Sequence, residues 1–222
     1  MTSKKGTHMP AAVPKPRGRP SAPQEEVKKQ IIDSTMTLLF DKGYDATTIE
    51  AVASQAGVAK KTVYRFAKNR EELLGLSVRN WTDNYAPLTQ LDPKDKSDVL
   101  PTLRKLLTAI CGQALSESAV KMFRLLNTTF PGKGELLKRY NENGIERGQQ
   151  LLTDWIIRQQ NHGWFPMLPA DISAKAILAM CVAEPLRKTA IGLTHTFEDE
   201  AVEAHLDSCM QFISLIIDQG SE

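Results

Sequence analysis

The sequence is poor in the residues that most catalytic and metal sites need. Its 222 residues include three cysteines and four histidines, and these do not show the close spacing of a metal-ligand motif. It contains no G-x-S-x-G, no G-x-G-x-x-G and no phosphate-cradling P-loop. Lys133 does lie between two glycines, in Pro131-Gly132-Lys133-Gly134, but this pattern is typical of a break between helices. We therefore predict no catalytic residues, no metal and no cofactor.

Long apolar runs are missing as well. No stretch reaches the roughly 20 apolar residues of a membrane-spanning helix, and the N-terminus lacks the apolar segment of a secretory signal. Cys111, Cys181 and Cys209 are odd in number and widely spaced within apolar helical patterns, which is typical of buried free thiols in a reducing compartment. We expect a soluble, cytoplasmic protein that makes no contact with a membrane.

Strand-like alternation bounded by hairpin turns is also missing, and apolar residues recur at helical spacing almost throughout. We predict a first helix over about 24–42 and a helix from Arg70 to about Ala86 that connects two parts of the chain. Further helices are predicted near 97–115, 117–130, 134–162, 171–191 and 198–218. The sequence thus predicts an all-α protein, in which an N-terminal three-helix domain precedes a C-terminal helical bundle.

Charge is unevenly distributed along the chain. The first 23 residues carry five basic side chains and no acidic one, residues 24–85 carry nine of each, and the whole chain has a net charge of +2. The remainder is therefore mildly acidic. A basic tail on a neutral N-terminal domain and an acidic body is the pattern of a protein that meets nucleic acid at one end.

The basic tail, residues 1–23, is rich in Pro, Ala, Lys and Arg and has almost nothing to bury, so we expect it to be disordered without a partner. It contains Pro16-Arg17-Gly18-Arg19-Pro20, which resembles the R-G-R-P core of an AT-hook. Arg17 and Arg19 would then enter a narrow minor groove of DNA. The alternative is a solvated basic linker.

The segment from Thr47 to Leu74 predicts two short helices joined by a tight turn. Thr47 and Glu50 have the spacing of a capping box at the start of the first helix. Gly57 can adopt the left-handed conformation that the turn requires. The second helix begins near Lys60 and pairs an apolar side with cations and hydrogen-bonding groups, as the recognition helix of a helix-turn-helix does. The predicted DNA contacts in this segment are Thr47, Thr48, Lys60, Lys61, Thr62, Tyr64 and Lys68.

A longer segment, from about Gln24 to Trp81, carries a family resemblance. The motifs are Asp41-Lys42-Gly43-Tyr44, Ala46-Thr47-Thr48-Ile49, Ala56-Gly57-Val58, Lys60-Lys61-Thr62-Val63-Tyr64 and Asn69-Arg70-Glu71-Glu72-Leu73. In combination they resemble the DNA-binding domain of TetR-type bacterial transcriptional regulators. Two positions depart from the family pattern: Ala59 replaces a capping residue of the recognition helix, and Ala67 replaces a frequent aromatic.

The resemblance implies a homodimer that binds a palindromic operator and is released by a small molecule held in the C-terminal body. The pattern FRLLN…FPGKGELLKRY…GIERG in that body is similar to the AefR-like subgroup. The predicted ligand contacts are Phe123, Leu126, Asn127, Trp155, Met180 and Glu184. The predicted dimer contacts, on the last two long helices, are Ile177, Leu186, Leu206, Cys209, Ile213 and Ile216.

Some features of the body allow more than one interpretation. Glu184 could orient a ligand or pair with Arg187 or Lys188. Gly144 and Gly148, four residues apart within a long helix, would permit close approach of another helix. Pro185 should bend the helix that contains it.

The sequence therefore divides into a basic arm (1–23), a helix-turn-helix domain (24–70) and a ligand-binding and dimerisation domain (71–222). The favoured function is a ligand-responsive DNA-binding transcriptional regulator, acting as a repressor. The alternatives are an architectural DNA-binding protein without an effector and, least favoured, an enzyme built on the helical bundle.

Overall fold

The computed structural model describes residues 24–194 and 199–219. The described residues contain helices and no strand, which confirms the all-α prediction. The arm, with the predicted DNA contacts Arg17 and Arg19, lies outside the described residues. The helices are α1 Gln24–Lys42, α2 Ile49–Gln55, α3 Lys60–Tyr64, α4 Arg70–Tyr85, α5 Val99–Ala114, α6 Glu117–Leu126, α7 Lys133–Tyr140, α8 Arg147–Asn161, α9 Ala170–Leu178, α10 Glu184–Ala190 and α11 Asp199–Gln219.

Helices α1 to α3 form a small domain, here called the headpiece. Ile31 and Leu38 of α1 pack against Val52 of α2 and Val63 of α3 in one buried cluster. Ala67 is buried in the same cluster, and Phe66 packs against it from outside. The neighbouring phenylalanine thus supplies apolar contact where the alanine side chain is short.

Helix α4 connects the headpiece to the body, which consists of α5 to α11. Leu73, near its start, belongs to the headpiece cluster, and Tyr85, at its end, belongs to the core of the body. Between them, Leu74 and Val78 pack with residues of α1, α6 and α7 in a third cluster. One helix is therefore buried in both parts of the molecule.

The predicted helix over 134–162 is interrupted by a π-helical turn, Asn141–Glu146, between α7 and α8. Gly144 lies in this turn, and a Cβ built on it would lie 3.2 Å from Val78 Cγ1 of α4. A Cβ on Gly148 would lie 2.8 Å from the Tyr85 hydroxyl. Both glycines therefore permit the close approach of α4, as predicted. Pro185 is likewise preceded by a π-helical turn, Ala179–Ala183, which accommodates its missing N–H.

The core of the body contradicts the predicted dimer contacts. That prediction required an apolar row that the chain leaves exposed, but most of the predicted residues are buried within this single chain. Helix α9 packs against α8, α10 against α6 and α11 against α5. The inward-facing residues are Ile177, Leu186, Leu206, Cys209 and Ile213; Ile216 is half-buried. These five residues do not form a free surface for a second copy.

Candidate DNA-binding and ligand sites

The turn between α2 and α3 has the geometry of a helix-turn-helix. Gly57 has a φ of +65°, as predicted for a left-handed turn residue. Val58 N–H donates to the carbonyl of Ala53, 3.0 Å away, and ties the turn to the preceding helix. Since Val58 and Val63 pack into the headpiece cluster, the opposite side of α3 faces outward.

The sequence predicted Thr47 as the N-cap of α2, and this assignment is wrong. The N-cap of α2 is Thr48, whose Oγ1 accepts from Ala51 N at 3.1 Å. Thr47 is fully buried, and its hydroxyl donates to the carbonyl of Gly43 at 2.9 Å. The hydroxyl of Thr47 is thus engaged inside the headpiece and is not available to a phosphate, whereas Thr48 is exposed.

Helix α3 presents Lys60, Lys61 and Tyr64 to solvent, with Tyr64 51% exposed. Thr62 is half-buried, because Val63 beside it occupies the core. Arg65 is exposed next to this face and was not among the predicted contacts. Its position four residues after Lys61 would have revealed it, since residues four apart share a helix face. Lys68, in the loop before α4, is also exposed.

Lys60 forms an ion pair within the headpiece. Its Nζ lies 2.9 Å from Glu50 Oε1 of α2, and this hydrogen bond holds the pKa of the Glu50 carboxyl below its usual value. Both side chains are more than half exposed, so the pair contributes little stability. Lys60 can therefore leave Glu50 for a phosphate at small cost.

Ala59 is the N-cap of α3 and makes no side-chain cap hydrogen bond, as its departure from the family pattern predicted. In contrast, α4 is capped by Asn69, whose Oδ1 accepts from Glu72 N at 2.8 Å. The recognition helix thus begins without the side-chain acceptor that α2 and α4 both have.

The headpiece and the body meet at Tyr44. Its hydroxyl donates to Glu71 at 3.0 Å, and the guanidinium of Arg70 lies 4.0 Å from its ring centroid. Burial and the hydrogen bond to Glu71 raise the pKa of the Tyr44 hydroxyl. Phe130 packs on the same ring at 5.3 Å, and a Cβ on Gly132 would lie only 2.3 Å from it. The loop after α6 therefore rests directly on the headpiece.

The body contains a cavity of about 830 Å³ between α5, α6, the end of α10 and the start of α11. Its apolar wall includes Cys111, Leu115, Val120 and Val202. Charged and hydroxyl groups also line it: Thr108, Ser116, Glu117, Lys121, Arg124, Thr189, Thr194 and Glu203. Cavities of this size accommodate small organic molecules.

The six predicted ligand contacts do not line this cavity. Trp155 is fully buried, and its Nε1 donates to the carbonyl of Leu91 at 3.0 Å. Leu126 belongs to the cluster around Tyr44, and the Asn127 amide donates to the carbonyl of Phe123. The remaining predicted residues, Phe123, Met180 and Glu184, are only partly buried.

Glu184 pairs with Lys188, whose Nζ lies 2.5 Å from Oε1. This pairing was one of the two interpretations of Glu184, and the structure confirms it. Lys188 holds the pKa of the Glu184 carboxyl below its usual value.

The three cysteines are free and buried, and they come from three different helical segments. The Cys111 thiol donates to the carbonyl of Cys181 at 3.5 Å, and Cys209 Sγ lies 3.5 Å from His205 Nε2. Burial raises the pKa of Cys111 to about 12 and raises those of Cys181 and Cys209 as well. Burial therefore disfavours the thiolate, which is the reactive form of cysteine.

Neither a metal site nor a membrane span occurs within residues 24–194 and 199–219. In these ranges no cluster of three or more His, Cys, Asp or Glu side chains could hold a metal ion. Nor does any helix there combine the length and apolar character that crossing a membrane requires.

A helix-turn-helix with an exposed basic helix, joined through α4 to a helical body with a cavity, defines a class: bacterial helix-turn-helix transcriptional regulators. The family models agree. Residues 31–75 match the bacterial regulatory proteins of the tetR family, and residues 101–214 match the C-terminal domain of AefR-like transcriptional repressors. The chain belongs to the TetR family and is a transcriptional regulator.

Individual relatives support the assignment. The chain is 30% identical over 135 residues to IcaR of Staphylococcus epidermidis, a negative transcriptional regulator of the biofilm operon icaADBC; the match covers 54% of this chain and 72% of IcaR.

Solved structures share the fold. A TetR-family regulator from Mesorhizobium loti has a TM-score of 0.69 at 21% identity, with 88% of this chain and 98% of that chain covered. FadR of Bacillus subtilis in complex with stearoyl-CoA has a TM-score of 0.58 at 17% identity, with 83% and 96% covered.

Proposed function

We propose that the protein is a repressor that binds a palindromic operator as a homodimer in the cytoplasm and leaves it when a small molecule occupies the cavity. The observation that carries the proposal is the combination of the exposed α3 face with a cavity in the body. The cavity favours this function over an architectural DNA-binding protein without an effector.

The DNA contacts follow from the α3 face. Lys60, Lys61 and Tyr64 would enter a major groove, with Arg65 at its edge and the half-buried Thr62 beside them. Thr48 and Lys68 would contact phosphates on either side. Two recognition helices of a dimer would lie in successive major grooves, about 34–36 Å apart. The arm would add minor-groove contacts through Arg17 and Arg19.

We propose a different set of dimer contacts from the one predicted from the sequence. Helix α11 exposes Phe212 and Leu215, which are 55% and 60% accessible in the single chain. The α9–α10 segment exposes Ile172, also apolar, and a row of small residues: Ala176, Ala179 and Ala183. Small residues permit close packing of helices, and the exposed aromatic and leucine would fill the space between them. We therefore propose these outward faces of α9–α11 as the interface.

Helix α6 is the element through which ligand and DNA would be coupled. It places Val120 and Arg124 at the cavity and Met122 and Leu126 in the cluster around Tyr44. A ligand that displaced α6 would therefore also displace the loop that rests on Tyr44 and the base of α4. In this proposal the displacement changes the spacing of the two headpieces and lowers the affinity for the operator.

The DNA-binding part is tested with operator fragments selected from genomic DNA by the purified protein. Replacing Lys60 and Lys61 together with Ala should weaken binding in gel shifts. The plot of log K against log salt should also become less steep, by about one unit of slope for each phosphate that is no longer neutralised. A matched double variant, Lys94→Ala with Lys105→Ala, removes two exposed cations of the body. If the two double variants bind alike, α3 is not the DNA-binding helix.

The dimer is tested by sedimentation equilibrium. Phe212→Asp with Leu215→Asp should give a folded monomer with weak operator binding, since burying two unpaired carboxylates in an apolar interface is costly. Met167→Asp with Leu168→Asp places the same charges on exposed apolar residues outside the proposed interface and should leave the dimer intact. A wild-type monomer at micromolar concentration would refute the interface.

A further inference from the structure

Arg124 lines the cavity, and its guanidinium is hydrogen-bonded to the backbone of another helix. Its Nε donates to the carbonyl of Ala190, and its Nη2 donates to the carbonyl of Thr189, both at 2.9 Å. The guanidinium is thereby fixed between α6 and the end of α10, and its remaining N–H groups have no acceptor among the described residues. A fixed guanidinium with free donors is well suited to carboxylate or phosphate oxygens.

The other charged groups of the cavity are already paired. Lys121 lies 2.7 Å from Glu117, and Glu203 lies 2.6 Å from Arg104. Among the described residues, Arg124 has no carboxylate partner within ion-pair distance. Arg124 is therefore the one charged group lining the cavity, among the described residues, that is not paired with a group of opposite sign.

Helix α5 contributes Cys111 and Leu115 to the cavity, and a glycine between them leaves space there. Gly112 lies within α5, where glycine costs about 1 kcal/mol relative to alanine. Its φ is not positive, and a Cβ built on it would meet nothing within 4 Å. Neither backbone conformation nor packing requires glycine here, and its effect is to leave space beside Cys111 and Leu115.

We propose that the cavity binds an amphipathic anion, whose carboxylate or phosphate head is held by Arg124 and whose apolar body lies against Gly112, Leu115 and Val120. This inference rests on the proposed function, because it names the chemical class of the effector. The head would bind on α6, the helix that also contacts the Tyr44 cluster, so the same contact that recognises the anion would act on the headpiece.

The test uses four probes with the same ten-carbon chain and different heads: decanoate, decyl phosphate, decan-1-ol and decylammonium. Binding to the full-length protein is measured by isothermal titration calorimetry, below the concentrations at which the probes form micelles. We expect the better of the two anions to bind at least about tenfold more tightly than decan-1-ol, since a hydrogen bond to a charged group contributes more than a neutral one. The ranking of decanoate against decyl phosphate identifies the preferred head.

Two variants locate the site. Arg124→Gln should weaken the preferred anion about tenfold or more and leave decan-1-ol within about twofold of wild type. Gly112→Leu should weaken binding of all four probes, because its side chain would occupy part of the space in which their apolar chain lies. Gly134→Leu is the matched control: a Cβ on Gly134 also meets nothing within 4 Å, but Gly134 does not line the cavity. If Arg124→Gln does not fold, the Gly112 and Gly134 pair still decides the location.

The result that overturns the inference is equal binding of anion and alcohol, tighter binding of decylammonium, or an anion affinity that Gly112→Leu leaves unchanged. The selected operator fragments separate this inference from the proposed function. A protein that binds its operator but neither binds nor responds to the anions retains the DNA-binding function and loses this effector class. A protein that selects no DNA sequence refutes the proposed function, whatever the calorimetry shows.

Discussion

In the headpiece, α2 and α3 comprise seven and five residues, whereas α5 and α8 of the body comprise 16 and 15. Isolated helices as short as α2 and α3 are unstable in water, because nucleation is costly and few hydrogen bonds follow it. They form here with the help of a threonine cap, a left-handed glycine and a small cluster around Val52 and Val63. Helices of the body are held mainly by burial against one another.

Because of this difference, the stability of the two regions should respond to different kinds of substitution. The headpiece should be sensitive to changes that alter backbone conformation or capping, even at exposed positions. The body should be sensitive to changes in side-chain volume, most of all where two helices are in closest contact. The following four comparisons, each between two substitutions, test this distinction through the free energy of unfolding in urea, measured by circular dichroism.

The largest effect is expected in the core of the body. Trp155 is fully buried and its Nε1–H donates to a backbone carbonyl, so Trp155→Ala should cost about 3–5 kcal/mol. Trp164 is half-buried and stacks on His162 at 4.6 Å, and Trp164→Ala should cost less than half as much. Equal losses at the two positions would show that burial does not dominate the stability of the body.

The next effect concerns the contact between α4 and α8. Gly148→Ala places a methyl group 2.8 Å from the Tyr85 hydroxyl and should cost about 1–3 kcal/mol through overpacking. In a Tyr85→Phe background the same change should cost less, because the atom that the methyl group meets is gone. A double-mutant cycle measures this coupling. Additive costs would mean that α4 and α8 are not in tight contact here.

A backbone effect of similar or smaller size is expected in the headpiece. Gly57 has a φ of +65°, and Gly57→Ala should cost about 1–2 kcal/mol although a Cβ there meets nothing. Gly134→Ala, equally uncrowded but with a φ that is not positive, should be neutral or stabilising by up to about 1 kcal/mol. If both variants are destabilised by a similar amount, the positive φ of Gly57 is not the cause of the cost.

The smallest effect is expected at the start of α3, where the substitution should stabilise the protein. Ala59→Ser would supply the missing cap and should stabilise the protein by about 1 kcal/mol. The converse change, Thr48→Ala, removes the existing cap of α2 and should cost a similar amount. If serine at position 59 is neutral, α3 is held by its packing on the headpiece cluster rather than by its end.

Local patterns predicted much of the headpiece. The bounds of α1 were correct, because an apolar stripe and Gly43 mark where the helix runs and ends. The left-handed conformation of Gly57 was also predicted correctly, since a left-handed turn is a property of a few consecutive residues. The cap of α2 was assigned one residue too early: Thr47 and Thr48 are both acceptable caps, and only the packing of the headpiece buries the first and exposes the second.

The sequence by itself determined where most of the helices lie, the basic face of α3 and the family, because these depend on spacing within short segments. The tertiary structure decided which apolar residues face inward and where the cavity lies. Leu206 and Ile213 were predicted on the dimer surface, yet they are buried, while Phe212 and Leu215 are exposed. A helical pattern shows that residues share a face but not which neighbour covers that face, and that choice depends on contacts between α5 and α11, about a hundred residues apart in the chain.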